Sequence, residues 1–584
     1  MTLAETLLPL AVLVPLGVGA LLLGFAHWLT PRVADVASVT VAGFVAVLCA
    51  WLAREATGGA IVHWFGGWSP AVSGRPDVVL GIAFSADVAS AAIAAFCGLL
   101  FAAAFMFAWS YFDEVNSHFH VLMLLFLAAM VGFCLTRDLF DLFVWFELMS
   151  IAAYALTAYP LGPSALDGAF NFTIVNSVAS FMMLAGVGLL YARSGSLDYL
   201  LIGRTVGHAG ADPVVLGGFC LIAVALLTKG ACVPFHFWLA DAHSVAPSPV
   251  SVIFSGVMVS VALFGLSKLV VLVFGGNPDI LDLVRGALIW IGAATAVIGA
   301  LTAWTQRHLK RLLAFSTIAH LGIMLTGVAT AGGIGQAGLL LYLVGHGLVK
   351  GSLFMVAGML LALRGSADEI DLYGKAKRLW PVGVTMALAG LLLGGLPVGL
   401  LHGGSHLLDR AVERSPLVHA AQVLATALTG AAVLRAALRI FAGISGAPGP
   451  ERNGITEREH EKNVRPVWLM LTPAALLVLL VLMPSSVGER LARLGAGALV
   501  GRPAVAAVEP AGMLAQLLPV TLTLVILAGA LLRRRPVRRA GRALVTAERL
   551  PFGGLGVLHS GLVGDYVAWA VLGLAGLSVA SAWL

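Results

Sequence analysis

Charge is scarce in this 584-residue sequence. Only 11% of it is Asp, Glu, Lys or Arg, against 60% apolar residues, which excludes both an ordinary soluble globular domain and a disordered charged chain. Cysteine is scarce too: Cys49, Cys97, Cys134, Cys220 and Cys232 stand singly in apolar runs. With no CxxC pair to hold a metal or carry thiol exchange, they read as small core residues. No nucleotide-binding fingerprint in its required setting, HExxH helix or nucleophile elbow is present. The chain therefore carries no visible redox cofactor, metal centre or hydrolytic centre, no cofactor is expected, and it cannot carry out electron transfer alone. The net charge of +6 lies mostly in loops, without zinc-finger spacing or basic–aromatic interleaving, so no nucleic acid partner is expected.

What the sequence has is long apolar runs. A hydrocarbon core of ~30 Å needs ~20 apolar residues per helical crossing. Runs of that length fall near 5–29, 33–53, 84–111, 119–136, 139–159, 168–192, 214–243, 249–274, 281–303, 309–331, 335–363, 380–410, 416–442, 466–484, 512–532 and 562–583. The expectation is an all-α integral membrane protein with about 16 transmembrane helices, within a range of about 14–16. The first run has neither a basic leader nor a small-residue cleavage site, and is expected to remain as a span. Between 54 and 83 the chain is too turn-rich to cross, and alternates like a small hairpin outside the membrane. Basic loops, "QRHLKR" (306–311), "GKAKRLW" (374–380), the 443–465 stretch and "RRRPVRRAGR" (533–542), each follow an odd-numbered span. The positive-inside rule then puts them in the cytoplasm and both termini outside.

Two spans are interrupted. "LLTKGACVPFHFWLADAHSVAPSP" (226–249) contains Lys229 and Pro234, and "LLLGGLPVGLLHGGSHLLD" (391–409) contains Gly-Gly and Pro397. Proline removes a donor and clashes with the preceding turn, so both helices should break there and expose backbone to a polar interior. Paired broken spans in corresponding places point to inverted repeats. The division expected is 1–115 (N-terminal helices with an external hairpin), 116–275 and 276–442 (two inverted five-helix repeats), and 443–584 (C-terminal helices).

Ionisable residues inside the spans carry the chemistry. Glu147 sits about nine residues into its span, where an unpaired carboxylate is costly, and Lys229 is the best placed partner. A lysine near such a carboxylate can bind or release a proton as their separation changes. His320 lies in "FSTIAHLGIML"; His346 and Lys350, four apart in "GHGLVKGSLF", share a helix face. A lone intramembrane histidine reads equally well as a packing residue. Asp241 and His243 read equally as stabilisers of a broken end, and Lys310 and Arg311 as anchors at the cytoplasmic border.

The stretches "DLFVWFELMSIAAYAL", "TKGACVPFHFWLADAHSVAPSPVS", "RHLKRLLAFSTIAHLG" and "YLVGHGLVKGSLFMVAGML" resemble the antiporter-like proton-channel subunits shared by respiratory complex I, Mrp-type cation/proton antiporters and membrane-bound hydrogenases. The resemblance runs from about residue 60 to 440. "GAFNFTIVNSVASFMMLAGVGLLYARSGSLDYLLIGR" and "LHSGLVGDYVAWAVLG" lean toward its hydrogenase-like and larger members. It implies that Glu147 and Lys229 form the family's acid–lysine pair, and that His320, His346 and Lys350 belong to a polar axis carrying protons. Two positions depart from the family pattern. Ser260 stands where relatives have a lysine or glutamate, with Lys268 two turns further on, and Ser405 stands at the charged place of the second broken helix. His402 and His406 flank Ser405, and His406 is the candidate for its terminal proton site.

The implied function is a proton-translocating subunit of a complex I-like or hydrogenase-like assembly in the inner membrane of a bacterial or archaeal cell. Its partners would be other membrane subunits, protons and lipid. Two alternatives stand: a subunit of an Mrp-type antiporter, with sodium as a second ion, and a non-pumping membrane partner of a soluble enzyme.

Overall fold

With no water to serve its backbone, an apolar run in a membrane must bond its amides internally, and helices do so. The computed structural model describes residues 2–69, 81–112, 117–207, 210, 212–330, 332–444, 467–501 and 512–532. Among these, twelve helices are long and apolar enough to cross a membrane, and the protein is an all-α, multi-pass integral membrane protein. Helices α1 (Leu3–Gly24) and α2 (Pro31–Glu55) precede α3 (Val88–Tyr111), α4 (Ser117–Leu135), α5 (Leu139–Thr157) and α6 (Pro163–Ser194). A short helix, α7 (Tyr199–Val206), leads to the first broken span, α8 (Pro213–Lys229) with α9 (Phe237–Val245), and then to α10 (Ser248–Val273).

The second half repeats this order with α11 (Pro278–Thr305), α12 (Leu309–Thr330), α13 (Gly333–Arg364), the broken span α14 (Trp380–Leu393) with α15 (Gly399–Ala411), and α16 (Pro416–Ala442). Then come α17 (Val467–Val481) and α18 (Ser485–Val500), bent 77° from each other, and α19 (Met513–Leu532). Every expected span up to 512–532 meets a helix or a broken helix. The expected span at 562–583, the basic 533–542 loop and nearly all of 443–465 lie outside the described residues.

Carboxylates start several helices by accepting the amides of the first turn. Asp138 takes Phe140 N and Asp141 N at 2.8 Å, Asp87 takes Ala89 N and Ser90 N at 2.9 Å, and Asp198 takes Leu200 N at 3.0 Å. The expected hairpin is present as β1 (Ile61–Trp64) paired antiparallel with β2 (Ala83–Ala86). It packs on the turn between α4 and α5: Arg137 N donates to Ala83 O at 3.1 Å, and the Arg137 guanidinium lies 5.4 Å from the Trp64 ring centre.

One local arrangement recurs 170 positions apart. Leu139 N donates to Leu197 O and Leu309 N to Ala367 O, at 2.9 and 2.8 Å; Tyr199 N donates to Arg137 O and Glu369 N to Arg307 O, at 3.0 and 3.2 Å. Even the serine turns match, Asp198 N on Ser196 Oγ at 3.2 Å and Asp368 N on Ser366 Oγ at 3.1 Å. Both α10 and α16 end in a π-type turn, Leu269–Val273 and Leu438–Ala442.

Small residues let α11 and α12 touch backbone to backbone, as membrane helix pairs do. A Cβ on Gly322 would lie 2.3 Å from Ala296 N and 2.5 Å from Gly292 O. Gly322→Val should therefore cost about 1–3 kcal/mol through overpacking. The check is the thermal midpoint in detergent, where an unchanged value would contradict the close contact. His308, between α11 and α12, is 4% exposed. Burial, aided by the charges of Lys310 and Arg311, pulls it down to about 3. The folded chain keeps this imidazole neutral, while the unfolded chain takes up a proton below ~6.5. Its contribution to stability is thus complete above that pH and is lost progressively as pH falls toward about 3. His308→Gln should flatten the acid limb of the stability–pH curve; an unaltered limb would show that His308 is already protonated in the fold.

Candidate functional site

The first broken helix ends on the lysine itself. Lys229 is the last residue of α8, and the chain unwinds from Gly230 to His236 before α9 begins, so the break starts at Gly230, ahead of Pro234. A helix C-terminus favours a cation, and this one delivers the ammonium into the bundle at 0% exposure. Nζ donates to Ser150 Oγ at 2.5 Å and lies 4.5 Å from the Phe146 ring centre, with Tyr154 and Phe172 at 5.8 and 5.7 Å. Aromatic faces and a hydroxyl thus replace water around the charge. The unwound backbone is served by protein: Trp238 Nε1 donates to Thr228 O at 2.8 Å and Val233 N to Thr295 Oγ1 at 3.0 Å. Trp238 in turn stacks on Phe172 at 4.3 Å.

Glu147 lies on α5, half-buried, and accepts the Ser180 hydroxyl from α6. It makes no direct ion pair with Lys229. Ser150, nearly one turn further along Glu147's own helix, holds the ammonium instead, so the two charges are neighbours separated by hydroxyl-bearing side chains.

In the second half the charges sit differently. Lys350 is on the continuous helix α13, fully buried, and its Nζ donates to Leu313 O at 3.1 Å and to Ser316 Oγ. The position 170 before it is Ser180, and the residue ending α14 as Lys229 ends α8 is Leu393. His346, one turn before Lys350, is buried with neither ring nitrogen hydrogen-bonded, and its ring centre is 5.3 Å from that of His320. His320 Nδ1 is 2.6 Å from Tyr342 Oη and Nε2 is 3.0 Å from Thr429 Oγ1. Tyr342, His346 and Lys350 therefore form one stripe of α13, four residues apart, with His320 of α12 against it.

Tyr342 also reaches the wall of a cavity of about 400 Å³ that His402, Ser405, His406, Asp409 and His419 line. His406 is half-buried there, on α15. Asp409 Oδ1 lies 3.4 Å from His419 Nδ1. On the other side of Lys350, His243 is buried and stacked on Phe354 at 4.5 Å, while Asp241 faces Arg311 at 3.9 Å. Lys310 differs from the border anchor expected of it: it is 0% exposed and caps α9 through Ala246 O at 3.1 Å.

Ser260 and Lys268 have equally specific partners. Ser260 is buried in α10 and donates to Val257 O at 3.1 Å. Lys268 donates to Cys134 O and Thr136 O at 2.9 and 2.8 Å, capping the C-terminus of α4. Sequence reasoning also missed a buried pair in the N-terminal helices, Asp35 of α2 and His120 of α4, 3.2 Å apart. It missed Ser150, Ser180, Tyr342 and Asp409 as well. For Tyr342 a signal existed, since it continues the four-residue spacing of His346 and Lys350. Among the described residues no three His, Cys, Asp or Glu side chains converge in a way that could hold a metal ion.

Comparison with known proteins places this geometry. Residues 136–429 match the family described as NADH:quinone oxidoreductase/Mrp antiporter, transmembrane. The chain is 34% identical over 309 residues to an NADH-quinone oxidoreductase subunit of Desulforudis audaxviator, covering 52% of this chain and 61% of that relative's length. It is 27% identical over 358 residues to a Na(+)/H(+) antiporter subunit of Bacillus subtilis, covering 61% and 70%. In fold it is similar to a chain of the Mrp complex from a Dietzia species, with a TM-score of 0.73 at 24% identity over 86% of this chain and 98% of the other. The stretch matched by the family holds both broken helices and all the buried lysines described above, and the chain belongs to the NADH:quinone oxidoreductase/Mrp antiporter family of transmembrane subunits.

Proposed function

We propose that this protein moves protons through the membrane as one subunit of a larger assembly, whose other subunits supply the driving reaction. The observation that carries the reading is the series of titratable groups inside the bundle, from half-buried Glu147 and buried Lys229 in the first half to buried Lys350, His346 and His320 in the second. Fixed charges in a membrane interior are costly and are kept where they act. Glu147 sets how firmly Lys229 holds its proton, through a carboxylate that approaches or recedes. The proton then passes along Lys350, His346 and His320 toward the cavity where His406 stands, and His406 takes the role of the charge that Ser405 lacks. Segments 116–275 and 276–442 act as the two inverted repeats, with 1–115 and 443–584 as flanking helices, both termini outside, in a bacterial or archaeal inner membrane. Lipid and neighbouring membrane subunits surround the exposed apolar faces.

A second reading, cation/proton exchange with sodium as the second ion, is favoured by the similarity to a Na(+)/H(+) antiporter subunit. Sodium dependence of proton flux in vesicles holding the purified assembly separates the two.

In such vesicles Glu147→Gln should lower proton flux at least ~10-fold, the scale of losing a positioned proton-transfer group, with subunit content unchanged. Lys229→Met should do the same, and so should Lys229→Arg, because a guanidinium does not release its proton. Wild-type flux in an assembled Glu147→Gln variant would remove the switch, and flux through Lys229→Arg would make Lys229 a fixed counter-charge.

A further inference from the structure

Two helix ends, one in each half, are held in the same way by a buried cation. Lys268 Nζ donates to Cys134 O and Thr136 O, where α4 ends, at 2.9 and 2.8 Å. Arg435 Nη1 donates to Trp304 O and Nη2 to Gln306 O, where α11 ends, at 2.8 and 3.1 Å. Pair by pair, those carbonyls lie 170 positions apart, and each cation stands in the last turn before the π-type turn of α10 or α16. The match extends to what faces the cation. Lys268 Nζ is 5.7 Å from the ring centre of Tyr199, while Arg435 Nη2 is 3.8 Å from Oε2 of Glu369, the residue 170 after Tyr199.

We propose that Lys268 is a fixed cation that positions α5, and with it Glu147, and is not a stage in the proton line. This rests on the proton-transport reading above and removes one lysine from its path. The ammonium sits at the carboxyl end of α4, the negative end of that helix, with the rings of Tyr199 and Phe264 beside it at 5.7 and 5.9 Å. Neither a backbone carbonyl nor a ring face accepts a proton near neutral pH. Asp87, whose charge acts on Lys268, is committed to the first turn of α3: Oδ1 accepts Ala89 N and Ser90 N at 2.9 Å, and Oδ2 accepts Ser90 Oγ at 2.7 Å. In the second half the same two-carbonyl hold is made by a guanidinium, which does not release its proton at all.

From Lys268 the hold passes through the turn into α5. Thr136, whose carbonyl takes the ammonium, receives Asp138 N on its Oγ1 at 3.2 Å; Asp138 Oδ1 then accepts Phe140 N and Asp141 N at 2.8 Å and starts the helix. Glu147 lies on that same helix. Lys268 is therefore not a substitute for the charge missing at Ser260, and the line from Lys229 to Lys350 crosses α10 without a lysine.

The test uses vesicles holding the purified assembly with the full chain. Lys268→Arg should keep the wild-type proton flux and its pH dependence, beside a silent Lys229→Arg. Lys268→Met should lower flux ~10- to 100-fold, the scale of displacing a reacting group by ~1 Å. It should also shift the infrared band of Glu147, identified by its absence in Glu147→Gln, and Lys268→Arg should leave that band in place. Flux lost in an assembled Lys268→Arg, or kept in Lys268→Met, overturns the proposal and leaves proton transport standing; normal flux in both Lys229→Arg and Glu147→Gln overturns the reading beneath it. Solid-state NMR of the wild type, labelled with ¹⁵N-lysine and carbonyl-¹³C cysteine, reads the group directly, because the lysine nitrogen coupled to the Cys134 carbonyl is that of Lys268. An ammonium signal throughout the pH range in which flux titrates supports the fixed cation. A neutral amine signal within that range overturns it, even if neither variant assembles.

Discussion

An ammonium group buried in a membrane-spanning bundle has to be given substitutes for water, and much of the first half is arranged around that demand. Lys229 obtains them by ending its helix. The α8 carbonyl terminus, the Ser150 hydroxyl and the ring of Phe146 surround it. Breaking a helix inside the hydrocarbon exposes backbone, and that cost is offset by Trp238 on Thr228 O and Thr295 on Val233 N. The Trp238–Phe172 stack then ties the far side of the break to α6, whose Ser180 holds Glu147. The break, the acid and the aromatic lining thus form one connected unit.

The second half keeps this architecture and redistributes the chemistry. Its broken helix ends on Leu393, and the lysine moves to the unbroken α13, where Lys350 finds Leu313 O and Ser316. A helix that need not end at its lysine can carry a series, and α13 does, with Tyr342, His346 and Lys350 on one stripe. His320 occupies the position 170 after Ser150, so a hydroxyl that accepts from Lys229 and donates to Phe146 O in one half is answered in the other by a ring that can carry a proton.

Much of this was legible in the sequence. Long apolar runs gave the helices, and Pro234 and Pro397 with their neighbouring glycines located both breaks, although Pro15, Pro473 and Pro519 are accommodated inside unbroken helices. Glu147, Lys229, His320, His346 and Lys350 were conspicuous as charged or titratable side chains in apolar surroundings. What could not be read was how they connect. Lys229 meets Ser150 across 79 positions and His320 meets Thr429 across 109, contacts set by packing angles that no local pattern encodes. Tyr342 and Ser150 are inconspicuous for another reason, since a phenol and a hydroxyl are common in helix interiors. Lys310 read as a border anchor from its place beside Arg311, yet the turn from α9 into α10 closes over it and buries it completely.

If the two halves form one conducting line, Lys229 and Lys350 act in series. The most direct measurement is proton flux in vesicles holding the assembly with Lys350→Met, Lys229→Met, and both together. A single line requires that either substitution alone lower the flux nearly as far as the two combined. Independent partial losses that multiply in the double variant would mean two separate routes, and would contradict a continuous path from the first broken helix to the α15 cavity.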